Sequence, residues 1–170
     1  DDRHIVIVGA GAAGNAAAET LRREGFAGSI SMISAESDLP YDRPALSKAF
    51  LSGMIPAKYV PIRSESFYNR LNIDLLLDRR VTGIDTKTRT VEFQGAKPLA
   101  GDMVLLATGG RPKTLDIPGI DCNSCYLLRS FADSKAIKSA AKDVKHVTII
   151  GAGFIGLEVA GSLKEQGLTV

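Results

Sequence analysis

Two runs of the form G-x-G-x-x-G stand near the ends of this 170-residue chain: Gly9-Ala10-Gly11-Ala12-Ala13-Gly14 and Gly151-Ala152-Gly153-Phe154-Ile155-Gly156. The spacing has a specific chemistry. The first glycine makes a tight turn, the second lets the backbone approach a pyrophosphate, and the third lets a helix pack closely on a strand. A helix opening at such a turn adds unpaired N–H groups and a partial positive charge, which favour phosphate oxygens. A lone run of this kind also suits a tight turn with no ligand, so context decides. Here the β-branched residues 4–8 lead into the first run, and residues 15–24 follow it with Ala17, Ala18 and Leu21 at helical spacing before Gly25. Residues 147–150 lead into the second run, and Leu163 and Gly167 follow it. At an offset of 151 − 9 = 142, Ile7, Gly9, Ala10, Gly11, Gly14, Ala18, Leu21 and Gly25 each meet an identical residue. Strand, glycine turn and helix therefore occur twice, as two dinucleotide sites require.

Other chemistry-bearing residues lie around these turns. Glu36 falls 36 − 14 = 22 residues after the last glycine of the first run, close to the distance at which an acid bonds an adenosine ribose hydroxyl. A solvated loop glutamate is the competing reading. Arg43 and Lys48 lie about one helical turn apart and bring two cations to one end of a short helix over residues 45–52, with Pro44 at its start and Gly53 at its end. Cys122 and Cys125 form a C-x-x-C. Two histidines, His4 and His146, and two cysteines supply no metal cluster.

The elements that must position these residues follow from periodicity and turn signals. A second strand is expected over residues 29–34, a short helix over 64–71 and a buried strand over 73–77. Residues 80–85 and 89–93 alternate in polarity around Thr86-Lys87-Thr88, which predicts an antiparallel hairpin. Residues 103–107 read as another buried strand, closed by Thr108-Gly109-Gly110, and a Pro/Gly-rich connection follows over 111–119. Ser130 with Asp133 fits a capping box for a helix running to about Lys142. The class is α/β: a Rossmann-like dinucleotide-binding domain, with a parallel sheet and an inserted antiparallel β-meander, over residues 1–112, and the beginning of a second Rossmann-like dinucleotide-binding domain over 113–170.

Composition narrows the function. With 45% hydrophobic and 24% charged residues and a net charge of +2, the chain has the make-up of a globular protein and too little basic excess for nucleic-acid binding by bulk charge. Every apolar run is interrupted well before the roughly 18 residues that a membrane span needs. No secretory signal pattern opens the sequence, and a cytoplasmic location is expected.

On these residues the chain resembles the FAD-dependent pyridine nucleotide oxidoreductases, within them the ferredoxin reductase and apoptosis-inducing-factor-like branch. Leu39-Pro40-Tyr41-Asp42-Arg43-Pro44-Ala45-Leu46-Ser47-Lys48 is similar to the L-P-Y-x-R-P-x-L-S-K block of that branch, Ala107-Thr108-Gly109 to its A-T-G motif, and the segment around Arg129 to its L-R-T-x-x-D-A stretch. The resemblance implies that Gly9, Gly11, Ala13 and Gly14 bind the FAD pyrophosphate and Glu36 the ribose, with Val81, Ala107, Thr108, Gly109 and Arg129 as further FAD contacts. It implies Arg43, Pro44 and Lys48 beside the isoalloxazine, and Gly151, Gly153, Ile155, Gly156 and Glu158 toward NAD(P)H. Lys48 and Glu158 are the expected catalytic pair, because a cation beside flavin N5 stabilises the charge gained on reduction and a carboxylate holds that cation. The implied activity carries electrons from NAD(P)H through FAD to a ferredoxin-like iron–sulfur protein. The implied extent is the first half of the FAD domain and the start of the NAD domain, and residues 1–170 alone are expected to bind FAD weakly and to turn over no NADH.

Two other functions compete: a thioredoxin-reductase-like dithiol enzyme using Cys122 and Cys125, and a flavoprotein of redox-dependent interaction like apoptosis-inducing factor. Against the first, the cysteines lie 151 − 125 = 26 residues before the second glycine turn with no basic or histidine neighbour to lower a thiol pKa. Replacing both cysteines with Ser in the full-length protein is expected to leave NADH-dependent ferricyanide reduction intact. Collapse of that activity would assign the chemistry to the dithiol.

Overall fold

The structure, a computed structural model, describes residues 2–120 and 123–170, so Cys122 lies outside the described residues. The chain forms two compact units. One runs from the N-terminus to Tyr41 and adds Pro61–Gly109; the other joins Asp42–Val60 to Gly110–Val170.

The first unit is built on a parallel sheet of β1 (His4–Val8), β2 (Ser29–Ile33), β3 (Ile73–Leu76) and β7 (Met103–Leu106), in the order β3-β2-β1-β7. The β-branched run of β1 is buried on both faces, as a central parallel strand must be. Alternate side chains divide between two cores. Ile5 and Ile7 join Ile30, Met32 and Ile73 under helix α1 (Ala12–Arg23), while Val6, Val8 and Ile33 pack with Val91 of an antiparallel meander. That meander is β4 (Val81–Asp85), β5 (Thr90–Phe93) and β6 (Ala96–Ala100). The hairpin expected around 86–88 is present, with Asp85 Oδ1 accepting the Lys87 and Thr88 amides at 2.8 and 3.1 Å. The strand at 103–107 departs from expectation: Met103, Leu105 and Leu106 of β7 are exposed. The reason is position, since among the described residues β7 pairs only with β1 and forms an edge.

In the second unit, α2 (Pro44–Ser47) and α3 (Ala49–Ser52) pack with α5 (Phe131–Ala140) and α6 (Phe154–Glu165). Leu51, Ala141, Val159, Leu163 and Leu168 form their common core. The capping box at the start of α5 is formed, Ser130 Oγ accepting from the Asp133 amide at 3.1 Å and Asp133 Oδ2 from the Ser130 amide at 2.7 Å. That helix ends at Ala140, two residues short of expectation, and passes into a 3₁₀ turn over Ala141–Asp143. Two expectations need larger correction. The single helix over 45–52 is two four-residue helices broken at Lys48, whose φ and ψ are −119° and −109°. Residues 147–150 do not form a strand: the backbone there pairs through one bridge, His146 with Thr169, too few rungs for a ladder.

Helix α4 (Glu65–Arg70) locks onto α1 in the first unit through a polar chain. The fully buried Tyr68 hydroxyl donates to Asn15 Oδ1 at 2.7 Å, and Asn15 Nδ2 donates to Glu19 Oε1 at 2.8 Å. Burial, reinforced by the Glu19 charge, pushes the Tyr68 phenol up to about 12. An acid raised on folding favours its neutral form, so this contribution is intact below about pH 10 and lost as pH rises through about 12. Tyr68→Phe is expected to cost about 1–3 kcal/mol in urea unfolding at neutral pH, because the Asn15 oxygen is left buried without its donor. It should also remove the alkaline loss assigned to Tyr68; a variant as stable as wild type at neutral pH that keeps the alkaline loss would refute the linkage.

Candidate functional site

The first glycine turn is shaped by contacts that only glycine permits. Gly9 has φ +112°, and a Cβ there would lie 2.2 Å from the Ala107 carbonyl oxygen. A Cβ at Gly14 would lie 1.8 Å from the Gly9 carbonyl oxygen. Gly11 caps α1 with no side-chain hydrogen bond, Ala13 lies in the first turn, and no acid is present there. The N-terminal amides of a 12-residue helix are thus left to a ligand. Ala107, Thr108 and Gly109 follow β7 beside this turn, with the Ala107 amide on the Val8 carbonyl at 2.8 Å and Gly109 at φ +70°. Glu36 follows β2, its Oε2 accepting from the Tyr41 hydroxyl at 2.6 Å, and Val81 opens β4. The cradle fits a dinucleotide pyrophosphate.

The second turn repeats this geometry within its own unit. Gly151 has φ +107°, and a Cβ at Gly156 would lie 2.1 Å from the Gly151 carbonyl oxygen. Gly153 caps α6, again without a side-chain bond and without an acid in the first turn, and Ile155 is exposed beside it. It too fits a nucleotide phosphate.

The same unit holds the residues expected to do redox chemistry. Lys48 stands at the break between α2 and α3, its Nζ 3.1 Å from Glu158 Oε1. Glu158 comes from the second turn of α6, where the equivalent position of the first repeat, 158 − 142 = 16, is Ala16. The other carboxylate oxygen accepts from the Ser47 hydroxyl at 2.6 Å. The Arg43 guanidinium donates to the Arg129 carbonyl at 2.5 Å, which ties the start of α2 to the segment before α5. Arg43, Pro44, Ser47, Lys48, Arg129, Ile155 and Glu158 line one cavity of about 260 Å³, completed by Leu46 and Leu128. Three cationic residues and one carboxylate line the cavity, so its wall favours negative charge on whatever lies against it. The Ser47 hydrogen bond first, and Lys48 second, hold the Glu158 carboxyl below the ordinary carboxylate range. Ser47 is the residue sequence reading missed. Its only signal was adjacency to Lys48 inside the Leu-Ser-Lys triplet.

Residues 3–170 match the family described as "Pyridine nucleotide-disulphide oxidoreductase". The chain belongs to this family. Members of the pyridine nucleotide-disulphide oxidoreductases bind FAD and NAD(P)H. Among its relatives, the ferredoxin reductase component of chlorobenzene dioxygenase from Cupriavidus sp. (strain PS12) is 38% identical over 98% of this chain and 40% of its own length. Human apoptosis-inducing factor 3 is 36% identical over 98% of this chain and 27% of its own. The chain thus spans well under half the length of the curated relatives it matches. Among solved structures, a ferredoxin reductase from Rhodopseudomonas palustris superposes with a TM-score of 0.93 at 35% identity, covering 98% of this chain and 41% of its own. The covalent putidaredoxin reductase–putidaredoxin complex gives 0.91 at 33%, over 98% and 40%.

A carboxyl lowered on folding contributes stability above its ordinary pKa and loses it as pH falls through the lowered value. Ser47→Ala is therefore expected to move the Glu158 carboxyl back toward the ordinary range in a ¹³C NMR titration, and to shift acid loss of the Lys48–Glu158 contact to higher pH. An unchanged Glu158 titration would show that Ser47 does not hold it.

Proposed function

We propose that this chain is the front of an FAD-dependent NAD(P)H oxidoreductase that passes electrons to a ferredoxin-type iron–sulfur protein. The observation that carries the reading is the Lys48 ammonium held at 3.1 Å by a carboxylate that is itself held by Ser47, in a cavity that Arg43 and Arg129 also line. Support for the partner comes from relatives whose names are ferredoxin and rubredoxin reductases and from a neighbour solved with putidaredoxin. Residues 1–112 are read as the first segment of the FAD domain and 113–170 as the start of the NAD(P) domain. No helix among the described residues is long and apolar enough to cross a membrane.

The residues take distinct roles. Gly9, Gly11, Ala13 and Gly14 hold the FAD pyrophosphate on the α1 amides, Glu36 the ribose, and Val81, Ala107, Thr108, Gly109 and Arg129 border the cofactor. Gly151, Gly153, Ile155 and Gly156 hold NAD(P)H. The two cofactors, when bound, supply the hydride acceptor and donor, and the flavin can release its electrons singly. Lys48 stabilises negative charge on the reduced ring, while Arg43 and Pro44 orient it. Glu158 keeps the Lys48 ammonium aimed.

Lys48→Ala in the full-length protein is expected to slow stopped-flow reduction of FAD by NADH by roughly a hundredfold or more, the order of effect for removing one preorganised charge-stabilising group. Flavin reduction at the wild-type rate would remove Lys48 from the mechanism.

A further inference from the structure

The break at Lys48 is held by two helices in matched pairs. A four-residue helix leaves most of its carbonyls without helical partners. Carbonyls on both sides of the break accept from distant side chains instead, four of them at 2.6 to 2.8 Å. From α5, Ser134 Oγ donates to the Leu46 carbonyl at 2.7 Å and Lys138 Nζ to the Phe50 carbonyl at 2.6 Å. From α6 and its C-cap, Ser162 Oγ donates to the Ser47 carbonyl at 2.7 Å and Gln166 Nε2 to the Leu51 carbonyl at 2.8 Å. The Phe50 carbonyl also takes the Gly53 amide at 3.2 Å.

The spacing makes this a device and not a scatter of contacts. In both helices the donors are four residues apart, so each pair lies on one stripe. On α6 the stripe begins one turn earlier with Glu158, which binds Ser47 and Lys48 through its two oxygens. Ser134 and Ser162 are buried at 0% and 6% exposure, where a hydroxyl without a partner is costly, and donating to these carbonyls satisfies both. The backbone is thereby pinned at residues 46 and 47 before Lys48 and at 50 and 51 after it. The Lys48 side chain, more than half exposed, receives its aim from this backbone and from Glu158.

We propose that Ser134, Lys138, Ser162 and Gln166 are positioning residues for Lys48. They form a four-point clamp that keeps its ammonium on Glu158 and, on the reading of Lys48 given above, at the reacting ring. Because α6 opens at the second glycine turn, the helix that receives NAD(P)H also fixes the lysine that answers it.

The test uses the full-length flavoprotein and two readouts. The first is acylation of Lys48 by acetic anhydride, followed by mass spectrometry with exposed Lys164 as the internal reference. Loss of one net hydrogen bond corresponds to about a fivefold change. Ser162→Ala is expected to raise the Lys48 rate by about that factor and leave Lys164 unchanged, Ser162→Thr to restore it, and Gln166→Leu, at an exposed position that tolerates change, to act in the same direction. A Lys48 rate unchanged in both Ser162→Ala and Gln166→Leu would overturn the clamp. The second readout is flavin reduction by NADH: Ser162→Ala is expected to slow it in the wild-type background and to add nothing in a Lys48→Ala background. Equal slowing in both backgrounds would make Ser162 merely structural. If Lys48→Ala itself reduces at the wild-type rate, the role given to Lys48 fails, and the acylation result still decides the clamp.

Discussion

Everything placed at the two nucleotide turns depends on a backbone-to-backbone approach with no room for a side chain. At Gly14 and Gly156 an added Cβ would lie 1.8 and 2.1 Å from the carbonyl oxygen of the first glycine of the same run. That is far inside van der Waals contact and cannot be relieved by a rotamer change, because the obstructing atom belongs to the main chain. The closeness brings each helix N-terminus over the end of its preceding segment, so its amides and its dipole point where a pyrophosphate would lie. The two turns differ in one respect. Gly9 also abuts the Ala107 carbonyl, whereas no atom lies within 4 Å of a Cβ at Gly151. The first cradle is walled by the A-T-G segment.

A second constraint acts on the short helices of the other unit. Their broken backbone leaves carbonyls that need donors, and α5 and α6 supply them from stripes of polar residues set into otherwise apolar packing. Phe50 and Phe131 meet edge to face at 4.9 Å between centroids within the same assembly. Lys48 therefore stands on a backbone fixed by tertiary contacts and not on a helix of its own making. Ser47, one residue earlier, serves twice: its carbonyl takes Ser162 and its hydroxyl steadies Glu158.

Much of this was legible in the residues. The glycine spacing, the β-branched run before the first glycine turn, the capping box at Ser130 and the hairpin over 86–88 are local signals, and each appears in the structure with nearly the expected bounds. Three expectations failed for reasons that are not local. Residues 45–52 have no residue that forbids a continuous helix, and the break at Lys48 arises where side chains 88 to 115 positions away claim the carbonyls. The apolar run at 103–107 could not reveal that it would form an edge, nor residues 147–150 that they would find a single rung.

The same division separates the site residues. Lys48 and Glu158 were identifiable as types in a motif, but their 3.1 Å contact across 110 positions of sequence, and the Ser47 hydroxyl that completes it, exist only once α6 lies against α2 and α3. Of the second helix repeat, the sequence by itself determined the nucleotide turn, since glycine spacing acts through the backbone of neighbouring residues. Only the tertiary structure decided what Glu158, Ser162 and Gln166 do. Side-chain donors and acceptors have a reach of a few ångströms, and what lies within that reach is settled by packing.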